Sequence, residues 1–395
     1  MINKEKIQHL SGEIFEQVVG YRRHIHANPE LSFHEYETSA FIKKHLTDWG
    51  IPFSVMANTG VVGLIKGDMP SENIVALRAD MDALPILEAN EKPYVSKNKG
   101  VMHACGHDVH SSSLLGTAYI LNNLKAEFGG TIKLIFQPAE ELLPGGASIM
   151  IKEGVLENPK PQHIIGQHVM PLIDAGKVGF RSGIYMASTD ELYVTVHGKG
   201  GHGAQPHQNI DPVLIASHII IALQQIVSRN ADPRLPSVLS FGKVIANGAT
   251  NIIPNEVKIE GTFRTLNEDW RREAKRLMKK MAEGIAESMG GSCEFRIMDG
   301  YPYLINEEKL TANARGYAED YLGEENVIDL DIWMAAEDFA YYSQVTDACF
   351  YRLGTGNKEK DTTYSVHTPK FDIDEDALKI STGLMSYIAL KQLGN

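Results

Sequence analysis

The sequence predicts an α/β protein with a mostly parallel sheet sandwiched by helices and a smaller α+β domain inserted into it. Short apolar runs typical of buried strands alternate with helix-length segments from about residue 60 to about residue 166. The order of the predicted elements changes between residues 184 and 297, and the alternation resumes after that. A chain of 395 residues is also longer than one hydrophobic core usually supports, which favours two domains.

The first fifty residues predict two helices separated at Pro29, the second with an apolar face at Ile42, Leu46 and Trp49. The alternating part that follows is predicted to contain strands at 60–65, 74–77, 131–136 and 163–166, with helices at 111–124 and 146–153. Strands and helices of these lengths in alternation indicate a parallel sheet covered on both faces.

The segment 184–297 predicts a different order of elements. It reads as a strand at 191–196, a helix at 212–228, strands at 237–244 and 256–265, a helix at 268–288 and a strand at 292–297. This β-α-β-β-α-β order is that of a ferredoxin-like domain. The predicted domains are therefore a first domain in two segments, 1–183 and 298–395, and an inserted domain, 184–297.

Charge and cysteine usage exclude several functional classes. The net charge of −12 disfavours nucleic acid and anionic membranes as partners. No apolar signal segment stands at the beginning and no uninterrupted apolar stretch approaches membrane-spanning length, so we expect a cytoplasmic protein. Three cysteines far apart in sequence do not predict a disulfide framework.

Potential metal ligands follow the predicted strands or their turns. Cys105 and His107 flank a glycine, Glu140 and Glu141 follow the apolar run 134–136, His168 follows the next strand, and His367 lies beyond the inserted domain. The carboxyl ends of strands in a parallel sheet meet at one edge, so these side chains can converge. Thiolate, imidazole and carboxylate together favour zinc or manganese, with cobalt and nickel as alternatives.

The adjacent pair Glu140 and Glu141 predicts a division of roles. Neighbouring side chains that leave a strand point in opposite directions, so one carboxylate can bind metal while the other acts as a general base. Asp80 and Asp82 either bind metal or orient a ligand histidine, and orientation is the interpretation we favour for Asp80. Asp108 either orients a ligand or caps the helix that follows.

A second interpretation makes Cys105 a nucleophile and His107 its base. We disfavour it because residues one position apart in a turn rarely reach the required geometry. His103 is at most a supporting residue, and His110, like the remaining histidines, is predicted to be an ordinary core or surface residue.

Nearly the whole chain resembles the aminoacylase and carboxypeptidase-G family of dinuclear metallohydrolases. The chain is most similar to its amidohydrolase branch, with auxin-conjugate hydrolases, hippurate hydrolases and N-acetyl-diaminopimelate deacetylases. The motifs that carry the resemblance are RRHIHANPELS (22–32), LRADMDALP (77–85), MHACGHD (102–108), QPAEE (137–141), GGHGAQPH (200–207), NIIP (251–254), GTFRT (261–265), AEDF (336–339) and HTP (367–369).

The resemblance implies two divalent metal ions per chain, bridged by Cys105. It places His107 and His168 on one ion and Glu141 and His367 on the other.

It also implies roles for five further residues. Glu140 is the general base, Asp80 supports the first ion, and His202 polarises the scissile carbonyl from the partner subunit of a homodimer formed by the inserted lid domain. Asn251 and Arg264 bind the carboxylate end of the substrate.

We therefore expect a metal-dependent amidohydrolase that cleaves N-acyl amino acids, such as N-acetyl amino acids, or related amides. A dipeptidase or carboxypeptidase with the same two ions is the main alternative. A non-catalytic binding protein on the same fold is the third hypothesis, and the complete set of ligands and base weighs against it.

Overall fold

The computed structural model describes residues 3–394. Ten α-helices lie in this part of the chain: α1 (Lys4–Glu13), α2 (Phe15–Ala27), α3 (Tyr36–Asp48), α4 (His107–Asn123), α5 (Gly146–Lys152), α6 (Pro212–Gln225), α7 (Glu268–Ser288), α8 (Glu308–Leu322), α9 (Ala340–Ser343) and α10 (Ala377–Gln392).

Sixteen strands accompany the helices in the same described residues. They are β1 (Phe53–Met56), β2 (Gly60–Lys66), β3 (Met69–Asp80), β4 (Gly129–Gln137), β5 (His163–Asp174), β6 (Val178–Phe180), β7 (Gly183–Met186), β8 (Asp190–His197), β9 (Gly201–His202), β10 (Ser237–Ile245), β11 (Ile252–Ile253), β12 (Glu256–Thr265), β13 (Ser292–Asp299), β14 (Leu304–Asn306), β15 (Val327–Asp329) and β16 (Asp347–Gly356).

The chain forms two compact units. Unit 1 contains the residues up to 185, residues 305–332 and the residues from 338 onward, and unit 2 contains residues 186–304 and 333–337. Unit 2 thus interrupts unit 1 in sequence, at nearly the positions where the order of predicted elements changes. The lid and dimerisation role of the inserted segment stays a prediction.

An eight-stranded sheet forms the centre of unit 1, in the order β1-β2-β4-β3-β5-β16-β6-β15. The four central strands β4, β3, β5 and β16 are parallel to their neighbours within this group, whereas β1, β2 and β6 introduce antiparallel pairs. Apolar residues of β2 to β5 and of α4 and α10 are buried in one core. The predicted fold class, a mostly parallel sheet with flanking helices, is confirmed.

The N-terminal helical region differs from the prediction, because it contains three helices and not two. A break at Ile14 separates α1 from α2, two residues after Gly12. Ser11 and Gly12 both have lower helix propensity than alanine. In α3 the predicted face is buried at Ile42 and Leu46, four residues apart.

Unit 2 has the strand order β10-β12-β8-β13, with every neighbouring pair antiparallel. This is the β-α-β-β-α-β arrangement that the order of elements predicts. Helix α7 buries Ala274, Met278, Ala282 and Ala286, which lie four residues apart on one face. Asn267 caps this helix by accepting a hydrogen bond from the backbone N–H of Trp270 at 2.8 Å.

One helix among the described residues, Pro212–Asn230, is long and apolar enough to cross a membrane by length and composition. It consists of α6 and a short π-helical continuation. The core helix of a soluble protein meets the same criterion, and Ile215, Ile219 and Leu223 of this helix lie in the core of unit 2.

Candidate metal centre

The predicted ligands of unit 1 gather at the carboxyl ends of β3 and β4 and beside β5. Asp80, the last residue of β3, pairs with Gln137, the last residue of β4. Arg78 pairs with Gly166 of β5, so His168 lies level with Asp80 at the same edge of the sheet. The register of the parallel strands therefore brings together side chains that are far apart in sequence.

The turn before α4 carries Cys105, and His107 is the first residue of the helix. Gly106 between them caps the helix with a φ of 87°, a left-handed conformation that favours glycine. A Cβ atom at this position would lie 2.5 Å from Cγ2 of Val169. The glycine thus allows the ligand turn to pack directly against β5.

Two sets of three donor atoms share the Cys105 sulfur. The Sγ atom lies 3.3 Å from Nε2 of His168 and 3.3 Å from Nε2 of His367. The donor atoms of Cys105, His107 and His168 lie within 4.8 Å of one another, and so do those of Cys105, Glu141 and His367. All five predicted ligands are therefore brought together around one thiol.

The arrangement of these donors fits divalent ions. The buried Nε2 atom of His107 has no hydrogen-bond partner among the described residues. The Nδ1–H group of His168 donates to the carbonyl of Val169 at 2.8 Å, which leaves Nε2 as the nitrogen with a free lone pair. Sulfur, nitrogen and carboxylate oxygen are the usual ligands of zinc and similar ions.

Asp82 lies behind His107, in the position of the second of the two roles that the sequence left open for it, the orientation of a histidine. Its Oδ1 atom lies 3.1 Å from Nδ1 of His107, and its two oxygens accept hydrogen bonds from the backbone N–H groups of Glu140 and Glu141 at 3.0 and 2.9 Å. A carboxylate behind a ligand histidine fixes the ring orientation. The signal in the sequence is its place in the Asp80-Met81-Asp82 strand end.

Asp80 lies further from His107, at 3.8 Å between Oδ1 and Nδ1. Its Oδ1 atom instead accepts a 2.6 Å hydrogen bond from Nδ1 of His110, while Nε2 of His110 accepts from the backbone N–H of Val169 at 3.0 Å. Both nitrogens of His110 are thus used within the protein, so it is no ligand although it lies close to His107. The catalytic role given to Asp80 stays a prediction.

A buried arginine extends this network below the site. Arg78 donates to the carboxylates of Asp80 and Asp338 and to the side-chain carbonyl of Gln137. Gln137 in turn donates to both oxygens of Asp338 at 2.8 Å. Neither Arg78 nor Asp338 was predicted as a site residue, because nothing in their local sequence indicates these long-range contacts.

Glu140 and Glu141 do not point in opposite directions as their predicted alternation requires, because both lie beyond the end of β4 at Gln137. One carboxylate oxygen of each and a ring nitrogen of His107 all lie within 4.8 Å of one another. Glu140 is buried, with Oε2 3.9 Å from Nε2 of His107 and Oε1 accepting from the backbone N–H of Asp338 at 3.3 Å. Glu141 is half-buried, and its Oε1 atom lies 3.1 Å from Nε2 of His367. Both carboxylates therefore lie beside His107, and Glu141 also reaches His367 of the second ligand set.

The electrostatics of the ligands couple ion binding to protons. Burial and the charges of Glu141 and Glu140 raise the pKa of Cys105 well above its usual value. Burial would lower the pKa of His107, but the carboxylates of Asp80 and Asp82 outweigh it and raise the pKa to about 10. Ligation requires the thiolate and an unprotonated imidazole nitrogen, so ion binding releases protons.

Asp108 does not cap the helix, because the cap is Gly106. Its carboxylate lies 2.7 Å from Nε of Arg22 and 2.8 Å from Nδ1 of His26. Its role in orienting a ligand stays a prediction. His103 is also buried, and neither of its ring nitrogens has a hydrogen-bond partner among the described residues. Burial lowers its pKa to about 4.

The remaining predicted site residues lie in unit 2. His202 is exposed on β9, where it pairs with Ile252 of β11, and Asn251 directly precedes that strand. The carbonyl of Asn251 accepts from the backbone N–H of Gly203 at 2.8 Å, so His202 and Asn251 belong to one loop pair. Arg264 is half-buried on β12 and donates to the carbonyl of Met334 at 3.1 Å. Their roles stay predictions.

Comparison with known proteins identifies the family. The model of peptidase family M20/M25/M40 matches residues 76–391. The chain belongs to this family. The resemblance found in the sequence and the prediction of a hydrolase are thereby confirmed.

Three similar proteins illustrate the range of this M20 chain's relatives. An N-acyl-L-amino acid amidohydrolase of Geobacillus stearothermophilus is 44% identical over 78% of this chain and 83% of its own length. Thermostable carboxypeptidase 2 of Saccharolobus solfataricus is 39% identical over 98% of each chain. The crystal structure of the Bacillus subtilis YXEP protein, described as a dinuclear metal binding peptidase from the M20 family, matches with a TM-score of 0.83 and 34% identity over 97% of this chain and 99% of that one.

Proposed function

We propose that this M20 hydrolase removes the acyl group from N-acyl amino acids with the help of two divalent ions. Zinc and manganese are the ions that we propose in the first place. The observation that carries the proposal is the pair of ligand sets sharing Cys105, with the buried Glu140 carboxylate 3.9 Å from His107. The amidohydrolase relative named above supports the choice of substrate.

The protein's own residues would divide the work as follows. Cys105, His107 and His168 would hold one ion, and Cys105, Glu141 and His367 the other. Bound divalent ions supply Lewis-acid polarisation and lower the pKa of coordinated water from about 16 to about 7. Glu140 would accept the proton of the attacking water and deliver it to the leaving nitrogen. Asp82 would keep His107 and the Glu140 backbone in place during these transfers.

The test of this proposal is Glu140→Gln, compared with Glu141→Gln. General-base catalysis contributes about 10²–10⁴-fold, so we expect the first variant to retain two ions while kcat falls by about that factor. Glu141→Gln should lose one ion, because it removes a ligand. Metal content by mass spectrometry and turnover of N-acetyl amino acids are the measurements. A Glu140→Gln enzyme with substantial activity would exclude this residue as the base.

A carboxypeptidase is the second candidate, because the relative from Saccharolobus solfataricus bears that name at 39% identity. Both reactions cleave an amide bond next to an amino acid, so the metal centre alone does not separate them. Turnover of N-acetyl amino acids and of dipeptides with the same C-terminal residue should be compared. Higher kcat/KM for the dipeptides would favour the peptidase.

We further propose a cytoplasmic homodimer formed through unit 2, in which His202 acts on the carbonyl bound by the partner. Two features of unit 2 support it. His202 is exposed, and α6 carries a second apolar row away from its core face at Leu214 and Ile221, which are 51% and 72% exposed. Exposed apolar residues in a row are typical of an interface. Asn251 and Arg264 would bind the substrate carboxylate.

A further inference from the structure

Arg22 is completely buried in unit 1 among three carboxylates. Its Nε atom donates to Asp108 at 2.7 Å and its Nη2 atom to Asp372 at 2.8 Å, while Nη1 lies 3.4 Å from Glu375. The guanidinium presents its donors in a rigid planar fork, so it can hold several acceptors in fixed relative positions. Arg22 itself touches none of the proposed metal ligands in these contacts.

Two of the three carboxylates lie next to opposite sides of the metal centre. Asp108 directly follows His107, a member of the ligand set of Cys105, His107 and His168, at the start of α4. Asp372 lies in the loop that carries His367 of the other set. The single guanidinium therefore connects α2 with both ligand-bearing segments.

The loop of His367 needs such support because its conformation is strained. His367 has a φ of 63°, which residues other than glycine adopt only where their surroundings hold them. Its backbone N–H donates to the carbonyl of Ala104 at 2.7 Å, next to Cys105. Further along the loop, Asp372 accepts both from Arg22 and from the Tyr94 hydroxyl, the latter at 3.0 Å.

We propose that Arg22 is a positioning residue of the metal centre, acting through Asp108 on one ion and through Asp372 on the other. This inference rests on the two-ion site of the proposed function, but not on its substrate. A residue that only stabilises the fold would change the free energy of unfolding and leave metal affinity alone. A positioning residue changes the affinity of an otherwise folded protein.

The experiment is a metal titration of metal-free protein carrying Arg22→Lys, which keeps the charge but loses the fork. Changes behind metal ligands typically cost about 10–100-fold in affinity, and we expect both Zn²⁺ dissociation constants to rise by at least about tenfold. Excess Zn²⁺ should restore kcat with KM unchanged. Arg271→Lys is the matched control, because Arg271 is a buried arginine of unit 2 that binds Asp190 through two 2.8 Å bonds.

The control variant Arg271→Lys should have a lower melting temperature than the wild-type protein, while both Zn²⁺ dissociation constants stay within about twofold of the wild-type values. Asp372→Asn removes the charge of only one of the two carboxylates through which Arg22 acts, so it should lower the affinity of only the ion held by Glu141 and His367. This variant also keeps the test decisive if Arg22→Lys does not fold. Unchanged affinity in the folded variants would overturn the proposal. Wild-type protein that binds two ions but hydrolyses no N-acyl amino acid would instead refute the proposed substrate.

Discussion

Asp82 shows how one buried carboxylate can hold both a proposed metal ligand and the proposed general base. Its carboxylate forms hydrogen bonds with the His107 ring and with the backbone N–H groups of Glu140 and Glu141. It also accepts a hydrogen bond from the Ser32 hydroxyl at 2.6 Å. The clusters that contain the candidate ligands could be predicted from residue type and strand position, and the resemblance to the family then chose Glu141 over Glu140 as a ligand. The partners of Asp80 and Asp82 could not be predicted, because two aspartates in one strand end are equivalent until the neighbouring chains are in place.

We predict that Asp82→Asn lowers metal affinity by about 10–100-fold, since an amide orients the ligand histidine less firmly than a carboxylate. Hydrogen bonds to a charged group contribute about 1.5–3 kcal/mol, so the free energy of unfolding should fall too. The measurements are Zn²⁺ titration and thermal unfolding. Ser32→Ala removes one of the neutral donors to the same carboxylate and should leave metal affinity within about twofold. Equal effects of the two variants would argue against the role of the charge.

At the scale of elements, helix α4 and the turn before it place Cys105 and His107 beside the candidate ligands at the strand ends. The helix could be predicted from its apolar run, but its start at His107 lies four residues before the predicted start at Ser111. The tight turn at Gly106 and its contact with Val169 decide that start, and the contact is between segments far apart in sequence. By contrast α7, with a cap and a regular apolar face, begins and ends where the sequence predicts.

We predict that Gly106→Ala destabilises the protein and weakens metal binding. A left-handed conformation costs an alanine about 1–2 kcal/mol, and overpacking against Val169 typically adds about 1–3 kcal/mol. Gly100→Ala is a matched control, because Gly100 has the same φ of 87° but open space around it. Thermal unfolding and metal content are the measurements. If both variants lose the same stability and keep their metal, the close contact at Gly106 has no special role.

At the scale of the whole molecule, the proposed dimer makes a prediction about mixed subunits. If His202 acts on the partner's substrate, Glu140→Gln and His202→Ala subunits should each be inactive alone, while a mixture of them should recover up to about a quarter of wild-type activity, because heterodimers form one intact site. General-base and electrostatic losses of about 10²-fold or more make this recovery easy to detect. A mixture of Glu140→Gln and Cys105→Ser should recover nothing, since both residues lie in unit 1. If activity does not recover in the first mixture, His202 acts on the substrate bound by its own subunit and not on the substrate of the partner.

Removal of the ions should also lower stability, because ions that bind only the folded state stabilise it by about 4 kcal/mol at a thousand times their dissociation constant. Treatment with a chelator should lower the melting temperature, and Zn²⁺ or Mn²⁺ should restore it. Cys105→Ser, which changes the shared ligand, should respond less to either treatment. A melting temperature independent of metal in the wild-type protein would contradict the two-ion site.

The sequence by itself determined the alternation of strands and helices, the insertion that divides unit 1, and the residue types of the metal ligands. These depend on local periodicity and on turn residues, which a linear sequence displays. The resemblance to the family already implied that Cys105 joins two ligand sets. Only the tertiary structure decided that Asp82 and not Asp80 lies behind His107, and that Arg22 connects both ligand segments. Those facts depend on contacts between segments up to about 350 residues apart in sequence, such as Arg22 with Asp372. Strand register and side-chain packing select such contacts, and no local pattern encodes them.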